Sequence, residues 1–275
     1  MHATIAQNVR MPTLGYGTWR LAGDSAKQGV MHALELGCRH IDTAQLYGNE
    51  VEVGAAIRDT TVPREDVFLT TKVWIDAVKT DQVVASVEES LSRLATPYVD
   101  LLLIHWPVPT VPVEKTLGEL RSVQERGLTR HIGVSNFTAS LLREAARHAP
   151  IAANQVEYHA KLGQQAVLEA AREVGAAVTA YCPLAQGNLV SDPVLVDIGR
   201  QHHKTAAQVA IRWLAQQPGV AAIPKSSRRP RIASNLDVFD FELTEEDLSR
   251  IAALQKNMRT CDPPIAPRWD PQSRG

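Results

Sequence analysis

The sequence lacks the features that mark several classes of protein. It has only three cysteines, Cys38, Cys182 and Cys261, and their wide spacing matches neither a disulfide framework nor a zinc site. No apolar run approaches the ~18 residues that a membrane-spanning helix needs. Residues 1–12 also lack the basic start and the apolar core of a secretory leader. We therefore expect a cytoplasmic protein with reduced thiols.

An excess of charge of one sign is missing as well. The 275 residues carry 29 Lys and Arg against 30 Asp and Glu, which gives a net charge of −1. Nucleic acids and anionic membranes bind surfaces with a surplus of basic residues, so this balance argues against both as partners. Nine histidines are present, but no H-E-x-x-H pattern occurs, and we expect no bound metal. The expected partner is a small molecule, and the expected state is a monomer.

What the sequence does contain is a repeated alternation of two kinds of segment. Short β-branched or leucine-rich runs alternate with longer runs of helical period, which is typical of parallel strands joined by crossover helices. The predicted strands are residues 14–17, 39–43, 67–72, 99–105, 130–134, 153–157, 177–181 and 220–223. Eight β/α units in ~250 residues predict an α/β fold of the closed (β/α)8 TIM barrel type. Because no linker or repeat divides the chain, we expect residues 1–275 to form one domain.

Several segments add to this regular pattern. Residues 4–11 predict a small hairpin that plugs the bottom of the barrel, and the proline-rich residues 261–269 predict an ordered loop over one end. Thr244 and Asp247 resemble a capping box that opens a final helix. Helical periods are found at residues 81–94, 113–126, 193–200, 205–216 and 244–254. The third and fourth of these predict two helices between strands seven and eight, where one would suffice.

Polar residues recur at the carboxyl ends of the predicted strands. They are Asp42, Lys72, His105, Ser135, Asn136, Gln155, Tyr181 and Lys225. In a barrel these strand ends meet at one mouth, which is where barrel enzymes place catalysis. Core packing does not explain such a series, so we expect these residues to form one site.

Four residues near this mouth favour carbonyl reduction, namely Asp42, Tyr47, Lys72 and His105. A phenol with a pKa of ~10 and an ammonium with a pKa of ~10.4 are poor catalysts alone at neutral pH. An ammonium that a carboxylate holds against the phenol is expected to lower the pKa of the phenol. Tyr47 can then protonate a carbonyl oxygen as a hydride reaches the carbon, and His105 can donate a second hydrogen bond to that oxygen.

Several segments resemble the signatures of the aldo-keto reductase family, in the family's order and over nearly the whole chain. They are residues 15–18 (GYGT), 40–50 (HIDTAQLYGNE), 101–107 (LLLIHWP), 133–137 (GVSNF) and 223–226 (IPKS). Within the family, the sequence is most similar to the bacterial 2,5-diketo-D-gluconate reductases, including the form that reduces methylglyoxal, and residues 266–270 (APRWD) resemble that group. The resemblance implies an NADPH-dependent reductase of small aldehydes and ketones, such as 2-oxo-aldehydes and keto-sugar acids.

The resemblance also implies roles for the four residues. Tyr47 becomes the proton donor, Lys72 and Asp42 the residues that tune it, and His105 the residue that orients the carbonyl. The family's barrel binds NADPH without a Rossmann domain. The sequence agrees, because its only approach to G-x-G-x-x-G begins at Gly15 and ends in arginine.

Cofactor-binding residues follow from the same resemblance. Lys225, Ser226 and Arg231 occupy the family's 2′-phosphate positions, and their side chains suit a phosphate. Asn235 occupies an adenine position, although Ser234 stands where many members have a glutamate. The other positions implied for the cofactor are Gly17, Thr18, Asp42, Ser135, Asn136, Gln155, Tyr181, Pro183, Leu184, Gln186 and Gly187. Among them, the hydroxyl and amide side chains of residues 135, 136 and 155 suit the nicotinamide carboxamide, and the Tyr181 ring is expected under the nicotinamide.

Tryptophans follow several of the predicted strands and predict an apolar wall around the substrate carbonyl. The expected substrate-binding residues are Trp19, Tyr47, Trp74, His105, Trp106 and Trp269. Packing in the core is the alternative for the tryptophans.

Two other functions are compatible with a barrel of this kind. Lys72 at a strand end also suits a Schiff-base aldolase, in which the amine attacks the substrate carbonyl. A regulatory subunit that senses NADPH without turnover would keep the barrel and the cofactor site. The complete set of Asp42, Tyr47, Lys72 and His105 argues against that subunit.

Overall fold

The structure, a computed structural model, describes residues 2–254 and 258–270. Strands β1 (Ala3–Ala6) and β2 (Val9–Pro12) form an antiparallel hairpin. Eight further strands form one parallel sheet in chain order. They are β3 (Tyr16–Gly17), β4 (His40–Asp42), β5 (Phe68–Val73), β6 (Val99–Ile104), β7 (Thr129–Ser135), β8 (Ala153–Glu157), β9 (Ala177–Tyr181) and β10 (Val220–Ala222). Every predicted strand is found, and the hairpin prediction is confirmed.

The sheet closes into a barrel where the segment before β3 meets β10. The Gly15 N–H donates to the Ala222 carbonyl at 2.9 Å, and the Ala222 N–H donates to the Thr13 carbonyl at 2.9 Å. A Cβ at Gly15 would lie 2.9 Å from the side chain of Ile223, which follows β10, and 2.8 Å from the ring of His40 on β4, so both neighbours approach this closely only because the residue is glycine. This closure confirms the (β/α)8 TIM barrel.

Helices surround the barrel, and their apolar faces pack on the sheet. They are α1 (Gly23–Glu35), α2 (Glu50–Asp59), α3 (Ile75–Lys79), α4 (Val83–Leu94), α5 (Val113–Glu125), α6 (Ala139–Ala146), α7 (Gln165–Val174), α8 (Pro193–Gln201), α9 (Ala206–Ala215), α10 (Arg229–Leu236) and α11 (Glu245–Ala252). The predicted pair between strands seven and eight is confirmed as α8 and α9. The capping box is confirmed too, since the Asp247 N–H donates to the Thr244 hydroxyl and the Thr244 N–H donates to the Asp247 carboxylate.

One helix prediction needs correction. The helix expected from residue 81 begins at Val83 and is preceded by the short helix α3. Asp81 adopts a left-handed backbone conformation with φ of 60°, which a right-handed helix cannot continue through. The apolar period alone did not reveal this break.

The side chains of strand β6 alternate between two layers of the core, one between the sheet and the helices and one inside the barrel. Leu102 and Ile104 pack outward among the helices, whereas Leu101 and Leu103 point into the barrel. Successive side chains of a strand face opposite sides, so one leucine-rich run serves both layers. Complete burial of each such side chain stabilises the fold by about 1.5–3 kcal/mol.

The hairpin β1–β2 plugs the bottom of the barrel. Its Val9 and Met11 side chains pack against Leu101 and Leu103 inside the barrel. The Asn8 side chain in the hairpin turn donates to the carbonyls of Ile151 and Val174, at 3.1 and 3.2 Å. These contacts close the end of the barrel opposite to the strand termini that carry the polar residues. Within the described residues, no helix combines the length and the apolar character needed to cross a membrane.

Candidate active site

A cavity of about 1030 Å³ opens at the carboxyl ends of the strands. Most residues that the sequence predicted for a site lie on its wall. Those residues are Gly17, Trp19, Asp42, Tyr47, Trp74, His105, Trp106, Ser135, Asn136, Gln155, Tyr181, Pro183, Leu184, Gln186, Gly187, Lys225, Ser226, Arg231 and Asn235. Its volume is at the upper end of the range for sites that enclose a small molecule, so the cavity can hold a large cofactor together with a small substrate.

Lys72 lies below the cavity wall, fully buried, at the centre of a polar cluster. Its ammonium donates to the Asp42 carboxylate at 2.6 Å, to the Thr43 carbonyl at 2.8 Å and to the Tyr47 hydroxyl at 3.3 Å. The second carboxylate oxygen of Asp42 accepts from the Gln155 amide at 2.7 Å. A buried ion pair is tolerated when further hydrogen bonds satisfy both partners, and this cluster meets that condition.

The pKa of Tyr47 differs from the prediction. Burial raises it well above its ordinary value, and the negative charge of Asp42 adds to the increase. Asp42 offsets the positive charge of Lys72, so the ammonium does not produce the expected lowering. Burial also lowers the pKa of Lys72, an effect that Asp42 opposes. Tyr47 therefore keeps its proton at neutral pH and can act as a proton donor.

His105 lies beside Tyr47 and is also largely buried. The ring centroids of His105 and Tyr47 are 5.7 Å apart, and those of His105 and Trp74 are 5.3 Å apart. Burial and the charge of Lys72 hold the pKa of His105 well below its usual range, so the imidazole is neutral. Its Nδ1 atom has no hydrogen-bond partner within residues 2–254 and 258–270.

A second polar cluster lies at the ends of β7, β8 and β9. The Ser135 hydroxyl donates to the Gln155 carbonyl, and the Asn136 amide donates to the His105 carbonyl at 2.9 Å. The Tyr181 hydroxyl donates to Oδ1 of Asn136 at 2.8 Å. Asn136 adopts φ of 62°, a conformation that asparagine tolerates better than most residues. Hydroxyl and amide groups are thus fixed side by side, where they can hold a polar planar group.

Three cations form a further part of the cavity wall, which we call the cationic rim. It consists of Lys225 and Arg231, which were predicted, and of Arg20, which was missed. The Arg20 guanidinium lies 4.2 Å above the Trp19 ring. Burial lowers the pKa of Lys225, and the positive charge of Arg20 lowers it further. Lys225 and Arg20 thus repel each other, so an anion bound near both would relieve the repulsion.

Two of the predicted contacts are not on the cavity wall. Thr18 is fully buried, and its hydroxyl donates to the Asp42 carbonyl at 3.0 Å, so it supports the loop rather than the cavity surface. Trp269 packs edge-on against Trp106 at 6.1 Å and donates to Asp262 at 2.8 Å. It therefore supports the wall from behind, because Trp106 occupies the position facing the cavity.

Sequence reasoning missed several residues of the wall and its support. The cavity wall includes residues that were not predicted, among them Leu46, Cys182, Thr260, Cys261, Asp262, Pro263 and Ile265. Gln45 was missed as well, although its amide accepts from the Trp74 N–H at 2.8 Å and donates to Ser86 and Ser90 on α4. A glutamine two positions before Tyr47 was the available signal, but its partners are distant in the chain.

Comparisons with known proteins point to one family. Residues 13–256 match the model described as the Aldo/keto reductase family. The methylglyoxal reductase DkgB of Salmonella typhi is 43% identical over 268 residues, which cover 94% of this chain and 99% of that protein. An aldo-keto reductase of Mycolicibacterium smegmatis is 44% identical over 262 residues, which cover 93% of this chain and 94% of that protein.

Solved structures agree with these relatives. A crystal structure provisionally named 2,5-diketo-D-gluconic acid reductase B matches with a TM-score of 0.96 and 47% identity, and the match covers 98% of each chain. The aldose reductase from Schistosoma japonicum matches with a TM-score of 0.90 and 35% identity, over 95% of this chain and 94% of that one.

Proposed function

The chain belongs to the aldo/keto reductase family, and from this premise we propose that it reduces small aldehydes and ketones to alcohols with NADPH. The observation that carries the proposal is the Lys72 ammonium between Asp42 and the hydroxyl of Tyr47, with His105 beside it at the cavity. The names of two relatives suggest methylglyoxal and 2,5-diketo-D-gluconate as substrates to assay.

Tyr47 and His105 bind the carbonyl oxygen in this proposal. A nicotinamide held in the cavity would supply a hydride to the carbonyl carbon. The oxygen then gains negative charge, and the Tyr47 hydroxyl transfers its proton to that oxygen. Lys72, 3.3 Å away, stabilises the phenolate that remains, and neutral His105 donates a hydrogen bond to the same oxygen. The raised pKa of Tyr47 suits this role, because the hydroxyl keeps its proton until negative charge develops on the carbonyl oxygen.

The residues of the cavity suit a nicotinamide dinucleotide. Ser135, Asn136 and Gln155 offer donors and acceptors for the carboxamide, and the ring of Tyr181 offers an aromatic face. The cationic rim of Arg20, Lys225 and Arg231 suits phosphates, with Ser226 adding a hydroxyl. An extra phosphate on the ribose distinguishes NADPH from NADH, and the repulsion between Arg20 and Lys225 favours the more negative cofactor.

The surroundings of Lys72 favour reduction over the Schiff-base aldolase. Three oxygen atoms accept hydrogen bonds from its ammonium, whereas an aldolase lysine must present a free amine to the substrate. Borohydride in the presence of substrate separates the two functions, since only the aldolase leaves a covalent adduct on Lys72. The NADPH-sensing subunit is tested by turnover on a panel of aldehydes and ketones.

A Tyr47→Phe variant tests the proposed acid, because it removes the hydroxyl and little else. We expect kcat with methylglyoxal to fall by about 100-fold or more. NADPH affinity, followed by tryptophan fluorescence, and the melting temperature should stay at their wild-type values. Turnover at the wild-type rate in this variant would exclude Tyr47 as the proton donor.

A further inference from the structure

A fully buried carboxylate that has no role in the chemistry above lies at the end of β8. Glu157 has 0% of its surface exposed. Its Oε1 atom accepts from the Thr260 N–H at 2.7 Å, from the Thr260 hydroxyl and from His159 at 3.2 Å. Its Oε2 atom accepts from the Cys261 N–H at 2.9 Å. Three of these four donors thus belong to two consecutive residues of the C-terminal segment.

The charge on Glu157 is stabilised mainly by that segment. Burial raises the pKa of this carboxyl, but hydrogen bonds from His159, Thr260 and Cys261 outweigh burial and leave the pKa below its ordinary value. A buried carboxylate without such donors would be strongly unfavourable. The barrel and the segment therefore depend on each other. The hydrogen-bond donors of the segment offset the desolvation penalty of the buried carboxylate, and the carboxylate holds the segment in place.

The segment held in this way forms part of the cavity wall. We call residues 258–270 the tail; five of its residues face the cavity, namely Thr260, Cys261, Asp262, Pro263 and Ile265. Other bonds fasten the tail on either side of them. The Met258 N–H donates to the Lys161 carbonyl at 2.8 Å, and the Asp270 carboxylate accepts from the Ala139 N–H at 2.7 Å. Glu157 binds the tail between these points, directly at the residues that line the cavity.

We propose that Glu157 is a positioning residue that holds the tail against the cavity and thereby sets the affinity for the carbonyl substrate. It acts through Thr260 and Cys261 and does not itself line the cavity. The proposal rests on the proposed reductase function for its kinetic part. Its structural part, the attachment of the tail, is testable without any activity.

A Glu157→Gln variant removes the charge with little change in shape. An amide has one acceptor oxygen, so an –NH2 group then faces either the Cys261 N–H or the two donors of Thr260. Loss of a hydrogen bond to a charged group shifts a local opening equilibrium by about tenfold or more. The tail should therefore detach more often, while the barrel stays folded.

Thiol labelling measures this opening without reference to catalysis. The protein is treated with iodoacetamide, and the rate at each cysteine is followed by mass spectrometry of peptides. Burial raises the pKa of the Cys261 thiol and the charge of Glu157 raises it further, so rates are compared per thiolate, from the pH dependence of labelling. In Glu157→Gln we expect the Cys261 thiolate to react about tenfold faster than in the wild type. Cys38, which is buried in the barrel, is the internal control and should react at the wild-type rate. Equal acceleration at both thiols indicates general loosening and overturns the proposal, as does no acceleration at Cys261.

Steady-state kinetics test the positioning role. Glu157→Gln should raise KM for methylglyoxal about tenfold with kcat little changed, because the wall binds substrate and transition state alike. NADPH affinity should change less than KM. A fall in kcat at unchanged KM overturns the positioning role. If the wild type reduces no carbonyl compound, the proposed function fails, but the labelling result still decides whether Glu157 holds the tail.

A second variant keeps the proposal testable if Glu157→Gln does not fold. Thr260→Val removes the hydroxyl donor from the tail and leaves the barrel unchanged. We expect the same changes in Cys261 labelling and in KM, but smaller, because the two backbone N–H groups still reach Glu157. The double variant should show less than the sum of the two single effects, since the two residues share one contact. Additive effects on labelling would contradict the proposal.

Discussion

The floor of the barrel, which the hairpin plugs, and the mouth, where the cavity opens, are built from the same strands. Different interactions stabilise the two ends. At the floor, Met11 packs with Leu101 and Leu103 in an apolar cluster. Two residues beyond Leu103, the same strand leads into His105 at the mouth. Each apolar side chain at the floor stabilises the fold by its own burial. The charged side chains below the mouth, Lys72 and Asp42, are tolerated in a buried position only because each is paired with the other.

The comparison predicts opposite responses to mutation. At the floor, stability should fall with each side chain that is shortened, and activity should be retained. At the mouth, loss of one partner should harm both stability and activity, whereas loss of both partners should harm activity alone.

The largest effect is expected for Lys72→Met at the mouth. The variant leaves the Asp42 carboxylate buried without its cation, which should cost about 3–5 kcal/mol of unfolding free energy. It also removes the charge that we propose stabilises the Tyr47 phenolate, so kcat should fall by about 100-fold or more. Urea denaturation and a methylglyoxal assay measure the two effects.

The matched control is the double variant Asp42→Asn with Lys72→Met. The asparagine oxygen can still accept from the Gln155 amide, so no charge remains buried in the cluster. We expect most of the lost stability to return, with no return of activity. A double variant less stable than Lys72→Met alone would show that the unpaired Asp42 charge is not the cause of the lost stability.

Leu103→Ala tests the floor. Truncation of this fully buried side chain should lower the unfolding free energy by about 2–5 kcal/mol, because a cavity remains inside the barrel. Activity at a temperature where the variant is folded should match that of the wild type. Val51→Ala, at a residue with 56% of its surface exposed, is the control and should change stability by less than about 0.5 kcal/mol. A large loss of kcat in folded Leu103→Ala would show that the two ends are not independent.

Arg231→Ala tests the cationic rim of the mouth. Loss of the charged hydrogen bond that we propose between Arg231 and the 2′-phosphate should raise the Kd for NADPH by about tenfold or more. The Kd for NADH should not change, because NADH has no 2′-phosphate. Arg229→Ala is a matched control on the same helix, since that guanidinium pairs with Glu35 at 3.4 Å. Equal weakening of both cofactors by Arg231→Ala would place the residue elsewhere on the cofactor.

The smallest effect is expected on the outer layer, at Glu119 on α5. Burial and a hydrogen bond with Asp81 raise the pKa of Glu119 to about 7, whereas an unfolded glutamate has a pKa of ~4.3. The folded state therefore binds the proton more tightly and loses stability as the pH rises from the unfolded to the folded pKa.

Glu119→Gln mimics the protonated carboxyl and should remove this loss. We expect a melting temperature slightly above that of the wild type at pH 8, with the difference disappearing at pH 4. Turnover should be unaffected at either pH where the protein is active. A variant that is less stable than the wild type at pH 8 would show that the ionised carboxylate is the favourable form.

The barrel and most of the cavity wall could be predicted from local patterns. Strand and helix periods are local, and the capping box of Thr244 and Asp247 lies within one turn. The barrel topology then predicts which distant residues meet, because parallel strands bring residues such as Asp42 and Gln155 to one mouth. Their hydrogen bond joins residues 113 positions apart, yet Asp42 was predicted near the end of one strand and Gln155 within another.

What could not be predicted depends on contacts that no local pattern encodes. The pKa of Tyr47 is governed by burial, which a pairwise argument from Lys72 and Asp42 leaves out. Trp269 stands in the expected segment, but only the folded tail places it behind Trp106. Glu157 is the last residue of a predicted strand, and nothing in the sequence around it indicates that Thr260 and Cys261, more than 100 positions later, are its partners.

The two ends of the described chain lie at opposite ends of the barrel. The hairpin seals the floor, and Asp270 caps α6 beside the mouth. An affinity tag or surface linker joined ahead of the hairpin would therefore point away from the entrance and leave substrate access free. The same addition after the tail would lie next to the opening, so immobilised enzyme should be attached by its amino terminus.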